Sequence, residues 1–263
     1  MTDTRGMKET QMTRRNRWMQ AALGLALALV AVPALAQPAA PAPTVDPGSI
    51  AALNSMSAYL RTLKTFQVEA VTATDEVLED GQLVKYSGKT NIVAQFPNKL
   101  LADVTSDRNE RQYVYDGKTF TLLARRVGYY ATVPAPPTVR ELADVLLAKY
   151  DIEVPLSDLF LWGAPGWNTG AITSAMDMGP GEVLGTTCQH YAFRQEGADW
   201  QVWIQKGDFP LPRKLVITTT DDPARPQHTA VYLWNLAPSV NDAAFTFTPP
   251  SGARKIVLAD VGK

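Results

Sequence analysis

From Phe66 to Val133 apolar and polar side chains take turns along the chain, and short polar breaks interrupt the pattern every 6 to 14 residues. Phe66, Val68 and Ala70, for example, alternate with Gln67 and Glu69. A period of two places the apolar set on one face of a strand. Breaks too short to hold a crossover helix force successive strands to pair antiparallel. The pattern predicts strands at about 66–77, 82–95, 99–106, 109–115, 118–125 and 127–133. Asp80-Gly81 and Asp116-Gly117 read as type I′ hairpin turns, in which both central residues take positive φ. Strands resume at Glu182, with candidates at about 182–195, 199–206, 211–220, 227–236 and 254–259. Trp200, Val202 and Ile204 share one face of their strand, while Gln201, Trp203 and Gln205 share the other. Alternation alone does not say which face is inside. No unit recurs at a fixed period, which argues against a propeller or solenoid.

Helical spacing appears in two places. Asp46-Pro47 is a helix start, an N-cap acceptor followed by Pro at the first helical position. Ile50, Leu53, Met56, Leu60 and Leu63 then form one apolar stripe, predicting a helix over 47–64 that must lie on something. After the break at Pro134, Pro136 and Pro137, Thr138-Val139-Arg140-Glu141 is a capping box, and Leu142, Val145, Leu146 and Tyr150 give a short amphipathic helix. Pro155 to Trp162 reads as a second short helix. Gly163 to Gly181, with five glycines and two prolines, reads as irregular. The fold class is therefore α+β, mainly β: one large, strongly curved antiparallel sheet whose concave face the helical segments cover.

The N-terminus has the layout of a secretory signal, residues 1–36. Arg14, Arg15 and Arg17 precede an uncharged run, Met19 to Val32, and Ala34-Leu35-Ala36 supplies the small residues a signal peptidase needs. The run of about 14 residues is shorter than the roughly 20 a membrane span requires, so no span is expected after cleavage. Arg17-Trp18 continues a twin-arginine pattern poorly, and Met7 and Met12 are alternative starts. Residues 37–48 form a Pro/Ala-rich linker, leaving 49–263 as a single domain. Cleavage removes five basic and two acidic residues from 25 and 26, leaving 20 against 24 and a net charge of −4. Such a balance offers no footprint for nucleic acid. Cys188 is the only cysteine, so no disulfide forms within the chain and packing must hold it.

No catalytic constellation emerges. His190 and His228 are the only histidines, too few for a His-rich metal site, and they read as strand residues with local hydrogen bonds. There is no G-x-S-x-G elbow. Cys188 and His190 share a strand face, yet no acid follows on that face to orient the histidine. Asp208, Asp221 and Asp222 lack the alternating oxygen ligands of a calcium loop. No catalytic residue, metal ligand or cofactor is expected.

The order helix, strands with Tyr115-Asp116-Gly117-Lys118-Thr119-Phe120, helical insertion, strands resembles the bacterial lipoprotein-carrier superfamily, the LolA/LolB-like fold. The C-terminal half resembles more closely a family of predicted periplasmic proteins defined as a domain of unknown function. Trp200 to Lys206, Gly207 to Leu215, Asn235-Leu236-Ala237-Pro238 and Phe245 to Ala253 carry that likeness. The resemblance implies a half-open barrel with a helical lid around an apolar cavity, and a periplasmic location. It implies a binding protein, not an enzyme, that holds a lipid or acyl chain; the chain's own apolar pattern adds Leu142, Val145, Leu146 and Trp162 as expected lid contacts, with Trp203 and Tyr115 as cavity candidates. A second reading is an envelope regulatory protein that uses the same fold to contact a protein partner. None of the carrier's functional residues can be matched position by position.

Overall fold

The computed structural model describes residues 44–261. The expected signal peptide and most of the expected linker lie outside the described residues. The linker's last residues do not: Val45 bridges Ala175, and the helix begins at Pro47, so ordered contacts start before the expected boundary.

Helix α1 (Pro47–Thr62) starts as expected, with the Asp46 carboxylate accepting from the Ser49 amide at 2.7 Å and from the Ser49 hydroxyl at 2.6 Å. Six strands follow: β1 (Thr65–Val77), β2 (Leu83–Gln95), β3 (Lys99–Ser106), β4 (Glu110–Tyr115), β5 (Thr119–Ala124) and β6 (Tyr129–Pro134). Then come α2 (Val139–Tyr150) and α3 (Asp158–Leu161). The second run is β7 (Ser174–Val183), β8 (Thr186–Gln195), β9 (Ala198–Gln205), β10 (Pro212–Thr219), β11 (Gln227–Asn235) and β12 (Arg254–Lys255).

All twelve strands form one open sheet in the order β12-β6-β5-β4-β3-β2-β1-β11-β10-β9-β8-β7. Two meanders meet at the β1–β11 pair, where Gln67 opposes Asn235 and Thr74 opposes His228. At about 4.8 Å per strand a flat sheet of this size would span roughly 50 Å, more than three helices of about 10 Å each can cover. The inner faces of β4 and β5 (Tyr113, Tyr115, Phe120) nevertheless join those of β8 and β9 (Phe193, Trp200, Val202) and all three helices in a single core. The sheet therefore curls, as accumulated strand twist requires, into a half-open barrel with helices on its concave side.

The convex side is covered in part. Phe245, in a 3-10 turn at Asp242–Phe245, is fully buried, and Lys99 ties the turn down through a 2.6 Å ion pair with Asp242. Phe247 packs on Tyr130 at 5.2 Å, and β12 then adds to β6 in parallel.

The structure corrects several expectations. Residues 174–181 are not irregular but the body of β7, and the expected strand 182–195 turns back at Leu184-Gly185. Gly179, Pro180 and Gly181 hide the alternation, and the register shifts between Asp177 and Gly179. An edge strand tolerates Pro, Gly and a bulge because one side of its backbone carries no ladder. The last strand keeps only Arg254–Lys255. Helix α3 keeps four residues, because Leu156 takes a left-handed φ of 54° just before it. The Asp-Gly turns are not type I′: Gly81 and Gly117 have positive φ, but their aspartates do not. Instead the Asp116 carboxylate accepts from the amides of Lys118 and Thr119 at 2.8 and 2.7 Å, which closes a three-residue turn.

Candidate functional site

The covering elements are held at both ends. Thr138 accepts from the Glu141 amide at 3.2 Å and donates its hydroxyl to the Glu141 carboxylate at 3.0 Å, so the box closes side chain to side chain. The Val139 amide bonds the Pro97 carbonyl at 3.0 Å and docks the start of α2 on the β2–β3 turn. Asp151 ends α2 in a left-handed conformation, its amide reaching the Leu146 and Leu147 carbonyls. Arg61, in the last turn of α1, donates to the Leu159 and Phe160 carbonyls at 2.8 and 3.0 Å, which satisfies the end of α3. Gly163 then turns with a φ of +68°, so close to α1 that a Cβ there would stand 3.0 Å from that of Ser57.

The sequence-predicted residues divide by face. Leu142 and Leu146 are fully buried under α2, Trp162 is 6% exposed, and all three join the core. Val145 is half-buried at the margin. Tyr115 is fully buried and donates to the Pro136 carbonyl at 2.5 Å, tying β4 to the segment that leads into α2. Trp203 is not a cavity residue. Trp200, Val202 and Ile204 point inward, and alternation sends Trp203 to the convex face. There it stacks on His190 at 3.9 Å and lies under the Lys214 ammonium at 4.5 Å.

A sizeable cavity lies elsewhere than those residues suggest. It holds about 810 Å³ between the inner faces of β1–β4, β10 and β11 and the loop 151–157 that joins α2 to α3. Its sheet side carries hydroxyls and amides at the strand ends, from Thr72, Thr74, Thr90, Ser106 and Asn109, together with Arg111. Its loop side carries Ile152, Val154 and Leu156 interleaved with Asp151 and Glu153, and Tyr113 and Ile217 add apolar surface from the sheet. A loop without periodicity gives sequence reasoning nothing to read, and only the hydroxyl-rich ends of β1 and β2 signalled a surface other than core.

Asp158 and His228 line this cavity. Burial raises the Asp158 carboxyl above its ordinary range, with the Glu153 charge adding to the effect and the residue's own backbone opposing it. Burial lowers His228, against the pull of Glu153. Its Nδ1 shares a 2.8 Å hydrogen bond with the Thr74 hydroxyl. The phenol of Tyr232 is raised well above its usual value by burial, with the Asp158 charge adding. All three environments favour the neutral form, while Arg111 and Glu153 line the same cavity.

The other candidates are structural. Cys188 is buried, with Sγ 3.3 Å from the Thr186 carbonyl, and burial raises its thiol. His190 meets Gln201 at 3.0 Å on the convex face. Among the described residues no group of three His, Cys, Asp or Glu is arranged to hold a metal. No described helix is long and apolar enough to cross a membrane.

Solved structures similar to this chain include an uncharacterized conserved protein from Thermus thermophilus, at 10% identity and a TM-score of 0.45 over 80% of this chain and 99% of that one. LprF from Mycobacterium bovis is 12% identical with a TM-score of 0.44, over 81% of this chain and 100% of its own. A LolA superfamily protein from Nitrosomonas europaea is 10% identical with a TM-score of 0.36, over 76% and 97%. No protein of curated function matches the chain. The model of the DUF2092 family, described as predicted periplasmic proteins, matches residues 49–259, and the chain belongs to that periplasmic family.

Proposed function

We propose that this protein binds an amphiphile with an acyl chain, which it holds between the curved sheet and the segment 138–162. The observation that carries the reading is the 810 Å³ cavity, whose lining sets Ile152, Val154, Leu156 and Ile217 beside the hydroxyls of Thr72, Thr74, Thr90 and Ser106. Its size falls within the roughly 300–1,000 Å³ of small-molecule sites. Burying acyl carbons yields about 0.8 kcal/mol per methylene, so a 16-carbon chain grosses roughly 12 kcal/mol before ordering costs. The apolar space nearest α2 is filled by Leu142 and Leu146, so a long chain is admitted only as α2 and its following loop move outward.

The test is uptake of a fluorescent fatty-acid probe by the exported protein. Ile152→Asp, which puts a charge on the apolar loop side, is expected to weaken uptake at least tenfold with an unchanged circular dichroism spectrum. Unchanged uptake by that variant, or no uptake by the unaltered protein, removes the reading.

A second reading, a protein partner, is favoured by the β7 edge. Among the described residues its outer side is paired only at Ala175, by Thr44 and Asp46, while Met176 and Met178 beyond it are 47% and 52% exposed. Such an edge can accept a partner's strand. Met178→Lys is expected to abolish co-purification of a periplasmic partner while leaving probe uptake intact. A partner retained by Met178→Lys removes this reading.

A further inference from the structure

A separate cavity of about 460 Å³ opens where the end of α1, the β2–β3 turn and the start of α2 come together. Arg61 and Arg140 both line it, with Phe96 and Phe160 on its apolar side. Arg61 is half-committed: its two terminal nitrogens hold the α3 carbonyls, but its Nε is buried with no hydrogen-bond partner. Arg140 Nη1 is likewise buried without a partner. No carboxylate forms an ion pair with either guanidinium among the described residues. The one carboxylate in the lining, Glu141, is exposed and takes the Thr138 hydroxyl.

This is an expensive arrangement. An unpaired buried N–H of a charged group forfeits its water without replacement. Burial lowers the Arg61 guanidinium from its ordinary value, and the charge of Arg140 adds to the effect. Two like charges lining one cavity, with no carboxylate paired to either, are relieved by one kind of occupant, an anion that accepts from the guanidinium N–H groups still free on both.

We infer that Arg61 and Arg140 form a phosphate-binding site. Two guanidinium groups carry a combined charge that a phosphate offsets, and its several oxygens accept from two planar donor sets at once. The neighbouring Phe96, Pro97 and Phe160 give the group's substituent an apolar wall, so the phosphate belongs either to a lipid headgroup or to free phosphate. The site does not depend on the acyl-chain reading: it stands or falls on Arg140, and that reading on Ile152.

The experiment is thermal melting of the exported protein at fixed ionic strength. Chloride, inorganic phosphate, dihexanoyl phosphatidic acid and dihexanoylglycerol are compared. At ten times the dissociation constant a bound phosphate raises Tm by roughly 3–6 °C. A rise with inorganic phosphate as well as phosphatidic acid supports the site and identifies free phosphate as sufficient. A rise with phosphatidic acid alone, and none with dihexanoylglycerol, supports it and assigns the lipid headgroup. Arg140→Gln is expected to lose the rise and, freed of the like charge beside Arg61, to melt higher than the unaltered protein in chloride. No rise with either phosphate, or an equal rise in Arg140→Gln, overturns the inference. The equal rise would be the general effect of an excluded salt.

Discussion

If α2 moves to admit a ligand, its closure must be a local equilibrium, and Leu146 is the place to perturb it. The side chain is fully buried against the sheet. Leu146→Ala deletes three carbons, worth roughly 2.4 kcal/mol of transfer at about 0.8 per carbon, and the cavity left behind brings the loss to about 3 kcal/mol. Every 1.4 kcal/mol is tenfold, so the opening of α2 becomes roughly 100-fold more frequent. Hydrogen exchange followed by mass spectrometry on peptides spanning 142–150 reads that change directly. If α2 lifts alone, those amides speed up by about that factor while amides of the central β1–β2 pair keep their rates. Val145→Ala, at the half-buried margin, is expected to change exchange less than about fivefold, since under about 1 kcal/mol is at stake there. Equal acceleration in α2 and the central strands would show that the helix opens only with the whole domain, and the idea of a moving cover would be refuted.

Three further outcomes follow from the geometry. Thr138→Ala removes the acceptor for the Glu141 amide and is expected to cost about 1 kcal/mol in urea denaturation; an unchanged midpoint would show that the capping box does not hold α2. Burial holds folded His228 below the ordinary 6.5, so as pH falls through that value the unfolded chain takes up a proton that the folded chain resists. Stability therefore drops with falling pH, and His228→Gln is expected to flatten the drop between about pH 8 and 5; equal differences from the unaltered protein at both pH values would contradict it. Trp203→Ala loses its stack on His190 and its contact with Lys214, costing about 1–2 kcal/mol. It should leave probe uptake unchanged, and a loss of uptake would put the residue back in the cavity.

The strand count on the N-terminal side was legible because β1 to β6 pair with their neighbours in chain order through short turns, and the start of β1 alternates cleanly. Strand β7 was concealed because an edge strand can carry Gly179, Pro180 and Gly181 without losing ladder bonds. Alternation could separate Trp200 from Trp203 but not say which faced inward, since that depends on where the helices dock. Leu142, Leu146 and Trp162 were legible as apolar cover. The large cavity was not, because its walls come from six strands and a loop. Arg61 and Arg140 were invisible as a pair: they lie far apart in the chain, and only the docking of α2 on the β2–β3 turn brings them to one cavity.

The β1–β11 pairing has a consequence for how such a chain finishes folding after export. Each meander is assembled from neighbouring hairpins and can form as its own residues emerge. The seam between them is different, since β1 waits for a partner far downstream in the register that sets Val71 against Val231. The entropy of closing so long a loop grows only logarithmically with its length, so the seam is late without being costly. Until it closes, the first meander presents β1 as a bare edge, the hazard that aggregation exploits. Helix α1 has already emerged by then, but in the folded chain it packs toward β7 of the second meander, so it reaches its own place only once that meander has formed.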